Sequence, residues 1–247
     1  MTKKAQMSGL ALVTIGALVV VTHFEIRSAT RSSAPTISID PQIRIEHAKE
    51  LFGRHYQTSV VRRAETISGL DRFLVAQVQS RLPDNWRGFG FKIAQTIAEQ
   101  AQIHGFDPIF LLAVITRESR FDPAAVGRHG EIGLMQLKPD TAKWVADKAG
   151  IPWRGADQLR DPINNIRLGV AYFYQLRKRY DGHSLFYISA YNMGPKRLNQ
   201  LIGMEQKPSE YAGRVMNIYS AMYRQLVRES VHKTSKGAQI RLAQNEP

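Results

Sequence analysis

Apolar residues recur every three to four positions along most of this chain, a spacing that predicts helices. The spacing is clearest after residue 90. Helices are predicted there over residues 92–104, 108–118, 139–149, 162–180, 184–193, 196–202 and 209–228. No run of alternating apolar and polar residues indicates a strand, and no internal repeat is visible. The predicted fold class is therefore all-α.

Residues that favour helix ends support these boundaries. Asp107 precedes Pro108, a pair typical of a helix cap and the first helical position, and Asp161 precedes another proline. Gly105 and Gly150 follow helical runs, where glycine commonly ends a helix. Residues 123–138 contain three glycines and are predicted to form a long loop between two helices.

The first part of the chain carries a different pattern. Residues 28–41 are rich in Ser, Thr, Ala and Pro and resemble a linker. Residues 43–82 keep helical spacing, interrupted near Gly69. This segment could pack on the following domain, space it from a membrane or bind a partner, and core packing is the default interpretation. Residues 229–247 are polar and are predicted to be disordered.

Residues 5–24 carry no charge and follow Lys3 and Lys4. A run of about 20 mostly apolar residues can span a bilayer, and the lysines favour a cytoplasmic N-terminus. The run fits either a cleaved signal peptide or an uncleaved anchor, and the poor cleavage site after it favours the anchor. Both interpretations export the rest of the chain, which predicts a periplasmic protein tethered to the inner membrane by its N-terminal helix.

Composition narrows the possible functions. The chain has no cysteine, which excludes disulfides, a thiolate nucleophile, cysteine-ligated metal and a lipid-modified N-terminus. Its formal net charge of +13 favours anionic partners, including nucleic acid, lipid headgroups and cell-wall glycan with its peptide carboxylates. No zinc-ligand spacing or aromatic-rich sheet pattern points to nucleic acid.

Glu118 is the candidate acid. It closes the apolar run 109–115 and shares a helical face with Leu111, Val114 and Ile115. A carboxyl group beside apolar walls retains its proton, as a general acid working near neutral pH must. The alternative is a glutamate at a helix end that reaches solvent or pairs with a neighbouring arginine.

Other residues supply the groups that a sugar site needs. Gly133 would let the backbone approach a ligand closely, and Gln136 offers a donor and an acceptor. Further on, Tyr191 could stack on a sugar face or donate its hydroxyl, while Asn192 could bond an acetamido group. Leu134 and Met135 could line the cleft or belong to the core, and Tyr211 falls within the last predicted helix.

Four groups of residues stand in the order of the motifs of one enzyme family. They are Glu118-Ser119, then Gly133-Leu134-Met135-Gln136, then Ala190-Tyr191-Asn192-Met193-Gly194, then Glu210-Tyr211. Residues 90–228 thereby resemble the catalytic domain of family 1 peptidoglycan lytic transglycosylases, which are related to goose-type lysozymes. The resulting predicted organisation is a signal or anchor at 1–24, a linker and helical segment at 25–89, this domain at 90–228 and a tail at 229–247.

The resemblance implies an all-α, lysozyme-like fold and a single catalytic carboxylate without metal or cofactor. Glu118 would protonate the oxygen between N-acetylmuramic acid and N-acetylglucosamine, then take the proton of the sugar's own 6-hydroxyl to leave a 1,6-anhydro ring. Ser119 would orient Glu118, while Gln136, Asn192 and the backbone of Gly133, Leu134 and Met135 would line the glycan site. Tyr191 and Tyr211 would shape the pocket at Glu118.

Glu131 departs from the family pattern, because a small residue usually stands before the Ile-Gly-Leu-Met-Gln run. It could be a solvated loop charge or could touch substrate or a partner. Two alternatives to a transglycosylase stay open at this point: a lysozyme-like hydrolase, and a wall-binding protein that assembles with envelope proteins of a secretion or division complex.

Overall fold

The computed structural model describes residues 37–208 and 210–244, with side chains placed up to residue 232. The predicted anchor at 1–24 and the first part of the linker lie outside the described residues. Ten α-helices and no named strand occur in the described part, which confirms the all-α class. They are α1 (Pro41–Phe52), α2 (Val60–Arg63), α3 (Leu70–Arg81), α4 (Gly90–His104), α5 (Pro108–Glu118), α6 (Pro139–Ala149), α7 (Pro162–Arg179), α8 (Ser184–Met193), α9 (Pro195–Gly203) and α10 (Tyr211–Gln244).

Helix α5 lies at the centre of the core. Its residues from Pro108 to Ile115 are all buried, as the apolar run predicts. It packs mainly against α10 and also against α4, which in turn packs on α7. Helices α6 and α8 pack on the remaining faces of α7. Burial of α5 on every side fixes the direction in which its last residue, Glu118, points.

Local signals set the two ends of α5. The carboxylate of Asp107 accepts the Ile109 N–H at 2.8 Å, and Pro108 occupies the first helical position. The last turn closes where the Ser119 N–H donates to the Ile115 carbonyl at 3.1 Å. The predicted cap is therefore confirmed, and α5 ends at Glu118.

The segment before residue 90 belongs to the same compact unit, which starts at Ile37. Helix α1 packs on α8, α2 on α10, and α3 on α4 and α5. Buried side chains along α1 to α3, such as Leu51, Val61 and Leu74, join the core around α5. Core packing is thus the role of residues 43–82 in this structure.

Polar contacts tie α1 to the start of α5. His47 is fully buried, and its Nδ1 accepts the Asp107 backbone N–H at 3.0 Å. Its Nε2 lies 3.1 Å from the Tyr187 hydroxyl of α8. Burial and the nearby Arg177 hold the pKa of His47 well below its usual range, so the ring is neutral and can accept this N–H.

Helix α10 differs from its predicted extent. It runs to Gln244, so residues 229–244, predicted as a disordered tail, are helical. The stretch contains no proline and a single glycine, Gly237, so no residue in it stops a helix that is already formed. None of the helices described between residues 37 and 244 is long and apolar enough to cross a bilayer.

Candidate active site

A cavity of about 290 Å³ opens at the C-terminal end of α5. Its lining comes from three parts of the chain: the end of α5, the loop between α5 and α6 with the start of α6, and the α7–α8 pair with the turn after it. The lining residues are Glu118, Glu131, Gln136, Leu137, Lys138, Thr141, Tyr172, Tyr191, Asn192, Met193 and Gly194.

Glu118 is half-buried at this cavity, and its Oε1 accepts a hydrogen bond from the Tyr211 hydroxyl. Tyr211 is the first residue of α10, and the guanidinium of Arg117 lies 5.7 Å from the centre of its ring. Burial raises the pKa of Glu118, although the Tyr211 hydrogen bond and Arg117 oppose that rise. The negative charge of Glu131 adds to it. A carboxyl group with these surroundings keeps its proton to a higher pH than an exposed glutamate.

The backbone turns sharply just after Glu118. Arg120 and Phe121 adopt φ values of 55° and 66°, in the left-handed region that residues other than glycine seldom occupy. Phe121 is nevertheless fully buried, so core packing holds this turn in place. Strain of this kind persists where surrounding structure fixes it, and it concentrates at functional sites.

Asn165 of α7 fixes the loop that follows. Its Oδ1 accepts the Met135 N–H at 2.7 Å, and its Nδ2 donates to the carbonyls of Ile132 (2.8 Å) and Leu159 (2.9 Å). Asn165 is fully buried, so these bonds replace all contact with water. In the sequence, the stretch from Asp161-Pro162 through Asn165 also resembles a long helix of the transglycosylase family, but that resemblance gives Asn165 no contact.

Gly133, predicted to let a sugar approach the backbone, packs closely against Asn165 in this structure. Gly133 has φ 80°, and a Cβ there would lie 2.3 Å from Nδ2 of Asn165 and 2.6 Å from the Leu159 carbonyl oxygen. The missing side chain therefore makes room for Asn165 and not for a ligand. Leu134 and Met135 are fully buried, and none of these three residues lines the cavity.

Gln136 does line the cavity, as predicted, but its amide is committed to the loop. Its Nε2 donates to the Gly133 carbonyl at 2.9 Å and to the Ala125 carbonyl at 3.2 Å. It also adopts a positive φ of 47°. Gln136 thus orders the loop from inside the cavity, and its carboxamide oxygen is the atom it can offer to a ligand.

Tyr191 and Asn192 reach the cavity together but play different parts. The Tyr191 ring stacks on Phe173 at 4.0 Å, and its hydroxyl donates to the Met135 carbonyl at 2.8 Å. Tyr191 therefore shapes the cavity wall. Phe173 covers one face of the Tyr191 ring. Asn192 is exposed and makes no side-chain hydrogen bond to any described residue, so its amide is free for a ligand.

Ser119 lies outside the cavity. It is buried, and its hydroxyl donates back to the Ile115 carbonyl at 3.3 Å. This contact closes the last turn of α5 and sets where Glu118 sits. If Ser119 orients Glu118, as the family resemblance implies, it does so by fixing the end of α5.

Glu131 and Lys138 complete the polar wall. Glu131 Oε2 accepts the His129 N–H at 3.0 Å, and its Oε1 lies 3.6 Å from the Lys138 ammonium. Desolvation raises the pKa of Glu131, but backbone N–H groups of the loop together with Lys138 and His129 outweigh it and lower the pKa overall. The cavity therefore holds two carboxyl groups with opposite tendencies. Glu118 favours the protonated form, and Glu131 favours the ionised form.

The cavity residues Lys138, Thr141 and Tyr172 have no role predicted from the sequence. No group of three or more His, Asp or Glu side chains in the described part of the chain is arranged to hold a metal ion.

The fold and the cavity define an all-α domain with a shielded carboxyl group at the end of its central helix. Residues 95–212 match the family model described as the transglycosylase SLT domain. Together with the relatives below, this match confirms the predicted resemblance: the chain carries a transglycosylase SLT domain.

Relatives with curated names match part of this chain. A putative soluble lytic murein transglycosylase of Haemophilus influenzae is 36% identical over 91 residues, which are 37% of this chain and 15% of the relative. The soluble lytic murein transglycosylase of Salmonella typhimurium is 32% identical over 130 residues, 47% of this chain and 20% of the relative. A membrane-bound lytic murein transglycosylase C of Haemophilus influenzae is 37% identical over 114 residues, 42% of this chain and 31% of the relative.

The chain thus spans less than a third of the length of these relatives. A solved structure of the lytic transglycosylase Slt of Pseudomonas aeruginosa matches with a TM-score of 0.48 and 25% identity, over 84% of this chain and 41% of that one.

Proposed function

We propose that this protein is a peptidoglycan lytic transglycosylase that cleaves the bond between N-acetylmuramic acid and N-acetylglucosamine and leaves a 1,6-anhydro end. The observation that carries the proposal is Glu118, a half-buried carboxyl group with raised pKa, bound by Tyr211 and facing a cavity beside the free amide of Asn192. The transglycosylase SLT domain over residues 95–212 supports the same reaction class.

In the first step the Glu118 carboxyl donates its proton to the glycosidic oxygen, and the bond from that oxygen to the muramic anomeric carbon breaks. A general acid must carry its proton, and burial at the end of α5 raises the pKa of Glu118 and so favours the protonated form. The departing sugar leaves as a neutral alcohol. The muramic acetamido group stabilises the positive charge at the anomeric carbon, a substrate-assisted route that needs no second carboxylate.

In the second step the Glu118 carboxylate takes the proton of the muramic 6-hydroxyl, whose oxygen bonds to the anomeric carbon. The proton returns to Glu118 and the anhydro ring closes without water. The Tyr211 hydroxyl stabilises the intermediate carboxylate, since a donor to a carboxylate favours its charged form. In this proposal Asn192, which lines the cavity, holds an acetamido group.

Product analysis tests the reaction. Purified peptidoglycan digested in ¹⁸O-labelled water and examined by mass spectrometry should give anhydromuramic ends without label. Reducing ends that carry one labelled oxygen would contradict the transglycosylase proposal. Glu118→Gln should release no soluble product in the same assay.

A lysozyme-like hydrolase is the second candidate, and Glu131 is the observation that favours it. This second carboxylate lines the same cavity and remains charged, so it could accept a proton from water. Labelled reducing ends that disappear in Glu131→Gln would establish the hydrolase and identify its base.

We further propose that the domain works in the periplasm, tethered by the N-terminal helix predicted at residues 5–24. One relative is named a membrane-bound lytic murein transglycosylase. Cell fractionation of the full chain, with and without residues 1–24, tests the tether. Recovery of the full chain in the soluble periplasmic fraction would contradict it.

A further inference from the structure

A second groove, of about 690 Å³, lies beside the cavity at Glu118 and is here called the α6–α7 groove. It is lined by Asp140, Thr141, Trp144, Tyr172, Gln175, Leu176, Lys178, Arg179 and Pro195. Thr141 and Tyr172 line both spaces, and Pro195 follows the cavity residue Gly194 directly. The two spaces are therefore adjoining, so a ligand in the cavity can extend into the groove.

Helical periodicity builds this groove. Asp140, Thr141 and Trp144 occupy one face of α6, three to four residues apart. The facing stripe on α7 contains Tyr172, Leu176 and further residues at the same spacing. Tyr172 and Leu176 are buried and form the floor, so the groove is a fixed feature of the helix pair.

Trp144 is the unusual side chain of the groove. It is 46% exposed, although tryptophan is usually well buried. Its ring meets Tyr172 edge-on, at 6.4 Å between ring centres and 86° between planes. That contact holds the indole while leaving much of the ring in solvent, which suits stacking against an apolar sugar face.

The groove is cationic at the C-terminal end of α7. Lys178 and Arg179 are both exposed, and neither forms an ion pair with a carboxylate among the described residues. Lys178 lies 5.6 Å from the ring centre of Tyr174, which steadies its side chain. Two cations face one groove acid, Asp140, so a carboxylate ligand is favoured at this end.

We propose that the α6–α7 groove binds the continuation of a peptide-bearing glycan strand, with Trp144 under a sugar ring and Lys178 and Arg179 on the carboxylates of a peptide stem. This inference rests on the proposed function, because it assumes that the polymer cleaved at Glu118 is peptidoglycan. The cavity of about 290 Å³ at Glu118 is smaller than the groove, and a polymer must be held beyond the bond that breaks.

Binding tests the groove separately from cleavage. All variants are made in a Glu118→Gln background, and affinity is measured by calorimetry for two probes: soluble peptide-bearing glycan strands and an uncharged N-acetylglucosamine hexamer. Trp144→Ala should weaken both probes by about fivefold to tenfold, and Trp144→Phe should restore most of the loss. Lys178→Gln/Arg179→Gln should weaken only the peptide-bearing strands, by about threefold, and should reduce their salt dependence.

Arg167→Gln is the matched control, since Arg167 is an exposed arginine of α7 outside both lining sets. It should leave both affinities unchanged. Equal affinities of the Trp144→Ala protein and its parent for both probes would overturn the sugar site. An equal loss on both probes in the lysine–arginine double variant would overturn the peptide-stem assignment. Product analysis of the wild-type enzyme judges the reaction itself, so failure of the proposed function is seen in a different measurement.

Discussion

The two ends of α5 each carry a carboxyl group that is bound by tyrosine hydroxyls of α10, yet the two groups have opposite roles. Asp107 at the first end is fully buried and accepts from Tyr219 (2.6 Å), Tyr223 (2.7 Å) and the Ile109 N–H. Glu118 at the last end accepts from one tyrosine, Tyr211, and faces a cavity.

Burial is the first cause of a raised pKa at both groups, and hydrogen bonds oppose it at both. Asp107 additionally has Arg44 near it and sits at the helix N-terminus, where a negative charge is favourable. Glu118 sits at the C-terminus, where the helix disfavours a negative charge. A fully buried carboxyl group with both oxygens hydrogen-bonded holds structure together, whereas one that faces a cavity can exchange its proton with a ligand.

The largest expected effect is on catalysis at the open end. Glu118→Gln keeps the shape of the side chain and removes the proton donor, so cleavage of peptidoglycan should fall by about 10³-fold. The folded state should become more stable at neutral pH. Folding raises the pKa of Glu118, so the wild-type protein loses stability as pH rises through that pKa. The Glu118→Gln variant has no proton to lose at this position and therefore avoids that loss. Thermal melts at pH 5 and pH 8 check this: the gain should be larger at pH 8, and an equal gain at both pH values would contradict the shift.

The next effect is on stability at the closed end. Asp107→Ala should lower the free energy of unfolding by about 3 kcal/mol, because it leaves two tyrosine hydroxyls and a helix N–H without an acceptor in the core. Activity per folded molecule should stay near wild type. Urea unfolding measures the loss, and Asp107→Asn, which keeps a capping oxygen, should lose less. A fully stable alanine variant would contradict the network.

Tyrosine variants separate the two ends more finely. Tyr223→Phe should cost about 1 kcal/mol of stability without changing the rate. Tyr211→Phe should instead change the pH profile. Its hydrogen bond lowers the pKa of Glu118, so its removal should move the alkaline limb of activity to higher pH. A pH–rate profile unchanged from wild type would show that Tyr211 does not act on Glu118.

The smallest effect is expected from Glu131. Its charge raises the pKa of Glu118, so Glu131→Gln should move the alkaline limb of activity to lower pH, opposite to Tyr211→Phe. The exposed Glu99 of α4 provides the control, and Glu99→Gln should leave the profile in place. A shift to higher pH in Glu131→Gln would refute the coupling between the two carboxyl groups.

Local signals made much of the fold predictable. The cap at Asp107 and the proline after it act within a few residues, so the start of α5 can be identified from the chain alone. The same holds for Asp161, which caps α7 by accepting the Asn164 N–H at 2.8 Å. The apolar run before Glu118 also indicated its burial and raised pKa.

Contacts between distant residues were not predictable from periodicity. Tyr211 lies 93 positions from Glu118, and only the family resemblance placed it near the acid. The close packing of Gly133 against Asn165 was not predictable either, because Asn165 comes 32 residues later on another helix. The α6–α7 groove likewise depends on how two helices meet, which neither helix reveals by itself.

The contacts of α1 have a consequence for how the gene can be divided. The match to the family model starts at residue 95, but the compact folded unit includes Arg44 and His47, whose partners are Tyr223, Asp107 and Tyr187. A subclone or chimera joined between α3 and α4 would remove the acceptor for the Asp107 N–H and expose buried hydroxyls. A junction placed before residue 37 keeps every one of these partners and the buried Ile37 in the same polypeptide, so recombination there should transfer the domain intact.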